Sequence, residues 1–308
     1  MTIQNGAHAL NGIGLPEKAE LAFRDALQTT FGQLDWLPVP DGAIHRFRVP
    51  EDKPGSQNGW YVLYLDGIAS GAFGSWKANG SQTWSSRKPA DPMEAQLIAQ
   101  RIEKAREQRE SEQQQRQQSA AERAARLWRE ASRADADHPY LIRKRAKPHS
   151  LRQSGDVLLV PLFADSRLVN IQRIESDGAK RFLFGGQVRG AYAALGCIDS
   201  GQPLYIVEGW ATGATIHAET GAAVACAMNA GNLKPVAQAL RAKYGDSQQI
   251  IIAGDDDRMT AGNPGRTAAT AAALAIGAEV AFPVWPTDAP LELSDFNDLL
   301  CWRASHGI

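Results

Sequence analysis

The 308-residue chain is predicted to be a multidomain protein of mixed α/β and α+β class. Three observations lead there. Between residues 199 and 308, short apolar runs alternate with amphipathic helical runs, the pattern of a parallel sheet with helices on both faces. Residues 1–88 hold three β-patterned runs divided by turn clusters, the pattern of a small antiparallel β module. The stretch between them changes character twice, from a helical linker at 89–133 to a small basic α+β subdomain at 134–198.

In the first module, Ile44–Val49, Gly59–Leu65 and Gly71–Trp76 read as strands, with Pro50–Asn58 as the main turn cluster. Before them, Ala19, Phe23, Ala26 and Leu27 recur at helical spacing, which predicts a helix over Glu17–Phe31. Pro89, Asp91 and Pro92 then open a segment dense in Ala, Gln, Glu and Arg, free of Gly and Pro until Pro139. Proline and aspartate are good entry residues, so a long solvated helix is expected, held by intrahelical charge pairs. In the basic subdomain, Val157–Phe163 and Leu168–Ile174 read as paired strands, and Arg181–Phe184 as a third. Beyond it come Pro203–Val207 before a helix at Ala211–Glu219, and Ala222–Ala225 before one at Leu233–Lys243. Gln249–Ala253 precedes a helix at Pro264–Ile276, and Ala278–Pro283 closes the series.

Charge is nearly balanced, with 33 Lys and Arg against 34 Asp and Glu, a total that by itself argues against a nucleic-acid partner. Its distribution reverses the argument. Residues 138–190 carry ten basic and four acidic side chains, and residues 191–308 carry six basic and twelve acidic. A basic wall beside an acidic one suits phosphates and divalent cations in one cleft. Cys197, Cys226 and Cys301 lie far apart and none has zinc-ribbon spacing, so a reducing, cytoplasmic setting is expected, with no disulfide framework and no structural zinc. Met1–Leu10 lacks a basic stretch followed by an apolar core, and no apolar run reaches about 18 residues, so neither a secretory leader nor a membrane span is expected.

Sites in open α/β sheets form beyond the carboxyl ends of strands. Two such loops are acidic: Leu204–Val207 runs into Glu208-Gly209, and Ile250–Ala253 runs into Gly254-Asp255-Asp256-Asp257. If these strands are neighbours, Glu208, Asp255 and Asp257 converge and repel, raising one another's pKa unless a hard cation lies between them. Oxygen-only ligands suit Mg²⁺ or Mn²⁺. The bland alternative for any one of these acids is a helix cap or a solvated loop residue.

Val207-Glu208-Gly209 after one strand, then Asp255-Asp256-Asp257 after another with a helix at Gly265–Ala272, resemble the Toprim domain of DnaG-type primases, topoisomerases and some nucleases. Glu208 matches its glutamate, and Asp255 and Asp257 match its Asp-x-Asp pair. Ser294–Leu299 resembles the acidic tail of phage and plasmid primase-like members, which makes Asp295 and Asp298 auxiliary acids, with helix-start residues as the alternative. Upstream, His138–Arg145, Leu158–Phe163, Val169–Ile174 and Ala179–Gly186 resemble the basic subdomain of mobile-element primases. The resemblance implies a DNA primase that makes primers from NTPs on single-stranded DNA, with a separate helicase or host replisome as partner. Within that reading Arg173, Lys180 and Arg181 are expected at phosphate, and Arg143, Lys144, Arg145 and Lys147 at template. A Toprim nuclease and a non-catalytic single-stranded DNA-binding protein are the alternatives. The first module departs from the primase pattern: it has ribbon-like strands but no cysteine. Trp60, Tyr61, Tyr64, Phe73, Trp76 and Trp84 are candidates for base stacking there, with about half expected to face inward.

Overall fold

The computed structural model describes residues 16–75, 80–199 and 201–307. Contacts divide the chain into two compact units, residues 1–113 and 114–308. The borders read from composition follow changes of chain character, whereas compactness divides the chain inside the long helix.

In the first unit, α1 (Pro16–Phe31) precedes an antiparallel sheet of β1 (His45–Phe47), β2 (Gly59–Tyr64), β3 (Ser70–Ser75) and β4 (Gly80–Ser85), in the order β1-β2-β3-β4. The fourth strand, GSQTWS, was not expected because it lacks an apolar alternation; it pairs with β3 through its backbone. The helix buries Phe23 and Leu27 against Phe47, Tyr61 and Phe73. Trp60, Tyr61 and Phe73 are buried, and Trp84 packs against the same core. These rings are core, not stacking surfaces; Trp76 lies outside the described residues.

The long helix α2 (Pro92–Glu130) is unbroken over 39 residues. Asp91 accepts from the Glu94 N–H at 2.9 Å, and the Glu94 carboxylate accepts from the Ala90 N–H at 2.7 Å, the reciprocal pairing that starts a helix. Arg87 chelates Glu94 at 2.8 and 2.7 Å and, with the Ala90 N–H, holds its carboxyl down at about 2.

The second unit contains two sheets. The antiparallel one comprises β5 (Ser132–Arg133), β6 (Arg152–Ser154), β7 (Val157–Ala164), β8 (Arg167–Ile174) and β9 (Lys180–Phe182), with α3 (Pro139–Lys144) between β5 and β6. The next comprises β10 (Ala193–Leu195), β11 (Leu204–Val207), β12 (Val224–Cys226), β13 (Ile250–Ala253) and β14 (Glu279–Ala281) in the order β10-β12-β11-β13-β14. The helices are α4 (Trp210–Thr220), α5 (Ala230–Tyr244), α6 (Pro264–Ile276) and α7 (Phe296–His306). All pairings in this second sheet are parallel except β10 with β12. One continuous core runs through both sheets, from Leu158, Val160 and Ile174 to Val207 and Trp210. The Phe163–Tyr192 bridge joins their backbones. Among the described residues no helix is long and apolar enough to cross a membrane.

Candidate active site

Parallel pairing of β11 with β13 sets Val207 opposite Ala253, so Glu208 and the Gly254–Asp257 loop leave the sheet side by side. Each acid meets a helix start. The Ala230 N–H, at the first residue of α5, favours the charged form of the Glu208 carboxylate. Asp257 Oδ2 accepts from the Gly265 N–H at 2.8 Å, in the first turn of α6. Partial positive charge at a helix N-terminus favours a carboxylate there. Gly265 must be glycine for this approach, because a Cβ would lie 2.6 Å from the Asp255 carbonyl oxygen and 2.9 Å from Asp257 Oδ2.

Within the triple-aspartate run, alternation separates three roles. Asp256 turns inward, where Arg266 Nε donates at 2.6 Å, Asn263 Nδ2 at 2.7 Å and Trp285 Nε1 at 3.1 Å. The Arg266 bond, above all, holds its carboxyl below the usual range. Its backbone N–H also donates to the Ser294 carbonyl at 2.7 Å, tying the loop to the segment that begins α7. Asp255 is the opposite case. Its Oδ1 is buried and meets no hydrogen-bond partner, and burial, then Asp295, Glu208 and Asp257, push its carboxyl up to about 8. Glu208 is also raised, by burial and then by Asp257.

Asp295 and Asp298 belong to this floor and cap a helix as well. Asp295 is the N-cap of α7 and accepts from the Asp298 N–H at 2.8 Å. Burial and Asp298 raise its pKa. Asp298 takes the Lys144 ammonium at 3.1 Å, and Asn297 Nδ2 donates to the Lys144 carbonyl at 2.7 Å and to Thr215 at 2.9 Å. The start of α7 is thereby bolted to α3 and α4. Burial would lower the Lys144 pKa, but Asp295 and Asp298 outweigh it and the net shift is upward.

The basic residues expected at phosphate do not stay together. Lys180 sits opposite Ile174 on β8, on the face packed toward the acid-bearing sheet. Burial and Lys144 lower its pKa, with Asp295, Glu208 and Asp255 pulling the other way. Its side chain is exposed, with the ammonium 5.7 Å from the Tyr140 ring centre. Arg173 and Arg181 pair side by side with Leu159, on the opposite face where α2 packs. The reason is the two-residue period of a strand, which sends Lys180 and Arg181 to opposite sides. Of the residues expected at template, Lys144 is engaged with Asp298, Arg143 is exposed with its guanidinium 5.8 Å from the Tyr140 ring centre, and Arg145 and Lys147 are exposed beyond α3.

Sequence reasoning missed the partners of Asp256, which are 7, 10 and 29 residues away. Only Asn263 carried a local signal, as a polar residue before Pro264 where a helix starts. It also missed Asn232, which receives the Gly190 N–H at 2.7 Å and donates to the carbonyls of Val188, Ala191 and Ala227.

The resemblance to Toprim domains implies a divalent cation. The cleft residues fit one: the donors are all carboxylate oxygens, and Asp255 Oδ1 is buried without a proton donor of its own. Among the described residues no three His, Cys, Asp or Glu side chains are already closed around a common point.

Residues 203–305 match the family model of the Toprim domain. The chain is similar to a DNA primase TraC of Escherichia coli, 34% identical over 265 residues, which is 80% of this chain and 24% of that protein. It is also similar to another DNA primase TraC of Escherichia coli, 36% identical over 275 residues, 85% of this chain and 19% of that protein. The chain therefore spans about a quarter or less of the length of these relatives. No solved structure matches it. The sheet that carries Glu208, Asp255 and Asp257 is a Toprim domain.

Proposed function

We propose that this chain is a DNA primase module, a nucleotidyltransferase that joins NTPs into short primers on a single-stranded DNA template. The observation that carries this reading is that Glu208 and the Gly254–Asp257 loop leave the paired strands β11 and β13 side by side, with Lys180 on the neighbouring sheet interacting electrostatically with Asp295, Glu208 and Asp255. Similarity to two DNA primases along most of the chain supports it.

Glu208, Asp255 and Asp257 hold Mg²⁺ or Mn²⁺ in this scheme, with Asp295 and Asp298 as auxiliary acids. The bound ion supplies activation of a primer 3′-hydroxyl and neutralisation of the incoming triphosphate. Lys180 adds positive charge on the same floor and is the phosphate contact; Arg173 and Arg181, on the other face, act on nucleic acid outside the cleft. Lys144 holds Asp298 in place, leaving Arg143, Arg145 and Lys147 for the template. The basic subdomain at 134–198 is the nucleic-acid wall, the Toprim domain the metal wall, and the helix at 89–133 their tether to the N-terminal module. Unwinding comes from a separate helicase or a host replisome.

The test is primer synthesis on single-stranded DNA with Mg²⁺ or Mn²⁺, comparing wild type with Glu208→Gln and Asp255→Asn. Product from wild type and loss in both variants is expected. Equal product from all three sinks the reading. Degradation of labelled DNA without nucleotides identifies a nuclease, and intact DNA binding with no metal binding identifies a non-catalytic binder.

A further inference from the structure

The turn that leaves β9 holds a phenyl ring in solvent. Phe184 is 86% exposed, although the two residues before it pack inward. Phe182 joins the core shared by the two sheets, and Leu183 packs with Leu159 and Ile171 on the face covered by α2. The Gly186 N–H donates to the Leu183 carbonyl at 3.2 Å and Gly185 takes a φ of 81°, which makes residues 183–186 a tight turn with glycine where positive φ is required.

This turn is wedged on two sides. A Cβ on Gly185 would lie 3.6 Å from the Arg116 carbonyl oxygen of α2, and Arg123 donates to the Phe184 carbonyl at 2.6 Å. On the other side Gly186 rests on the Asn170 side chain, where a Cβ would stand 2.4 Å away. With Leu183 half-buried and Gly186 seated on Asn170, the Phe184 ring is left facing solvent. Arg123 of α2 reaches the Phe184 carbonyl, Arg181 lies three residues back on β9, and Arg173 pairs with Arg181 across the strands. Arg173 has Glu175 at 3.5 Å, while neither Arg123 nor Arg181 has an ion-pair partner among the described residues.

The segment is also anchored to the carboxylate cleft at both ends. It begins at Lys180, on the cleft floor, and ends at Gly190, held by Asn232 in the first turn of α5, the helix whose first N–H meets Glu208.

We propose that Phe184, with Arg123 at its carbonyl and Arg181 and Arg173 on the strands that lead into the turn, is a stacking platform for an unpaired base of single-stranded DNA approaching the cleft. A flat apolar face accepts any base, and the flanking guanidiniums take the adjoining phosphates. The proposal rests on the primase reading for the identity of its ligand.

The experiment is fluorescence anisotropy of a short labelled single strand with the full chain, across a salt series. Phe184→Ala is expected to bind about 5- to 150-fold more weakly, the range for losing one base–aromatic stack. Phe184→Trp is expected to keep wild-type affinity and to show indole quenching on DNA addition beyond that of the wild type. Arg181→Gln is expected to lower the slope of log affinity against log salt by about 0.7. Duplex binding should be indifferent to Phe184. Circular dichroism confirms that each variant is folded. If wild type binds the single strand and Phe184→Ala binds it equally well, or if duplex loses affinity just as much, the platform is overturned. If wild type itself does not bind single-stranded DNA, the template assignment of the primase reading falls first.

Discussion

In the N-terminal sheet, Phe23 meets Phe73 edge to face at 5.7 Å and Tyr61 at 6.0 Å, and all three rings are buried. On the cleft floor of the second unit, Asp255 keeps a buried oxygen with no donor and stands among carboxylates that repel it. The first region satisfies its distinctive residues internally, and the second leaves them unsatisfied. That difference teaches where to look for function: fully packed aromatics stabilise a module, whereas unpaired buried charge persists in a fold when a ligand is to complete it. The same contrast recurs at one-residue distance, between Asp255 and the fully bonded Asp256.

The strongest way to break this comparison is in the packed region. Phe73→Ala should cost about 3–5 kcal/mol, the scale for emptying a core of an aromatic ring. Segment-resolved hydrogen exchange should show the loss in residues 16–113 and leave the β11 and β13 amides unchanged; a loss spread over both would mean that the units are one cooperative block.

Next is the cleft itself. On the primase reading, Asp255→Asn should lower primer synthesis on the order of 10²–10³-fold, the scale for deleting one preorganised electrostatic contact. Its melting temperature in metal-free buffer above about pH 8, where Asp255 is ionised, should hold or rise, because one repelling carboxylate is gone. A fall in melting temperature would show that Asp255 is a structural acid.

Asp256→Asn sharpens the pair with the opposite sign. Removing the carboxylate leaves Arg266 and Trp285 short of an acceptor, so a loss of about 1–3 kcal/mol is expected in chemical denaturation. Equal stability of the two variants would erase the distinction drawn within the run. The smallest effect belongs to Asp91→Ala at the start of α2, about 1 kcal/mol for a lost cap, read from the exchange rates of the first-turn amides.

Much of this is legible in the sequence. Ile250–Ala253 is wholly apolar and ends in Gly and three acids, which predicts a buried strand with a cluster of carboxylates at its carboxyl end. The alternation of strands and helices after residue 199 was equally plain, because each element has enough residues to show its own period. The short helix α3 and the polar strand β4 were not, since six residues show too little of either period. The N-terminal rings were read as half inward and half outward, but α1 covers one face of that sheet and Ala105 of α2 joins Trp60 and Val62 on the other.

Local pattern by itself determined which residues are acidic at strand ends, which stretch is basic and which segments are helix or strand, because these depend on neighbours within a few positions. Only the tertiary structure decided that Asp255 is left unpaired while Asp256 is clamped, that Lys144 reaches Asp298 across 154 residues, and that Lys180 rather than Arg173 or Arg181 faces the acids. Those outcomes depend on which face of a strand meets which partner. A face is a property of packing between segments distant in the chain, and burial, not local order, sets whether a charge on it is satisfied or left for a ligand.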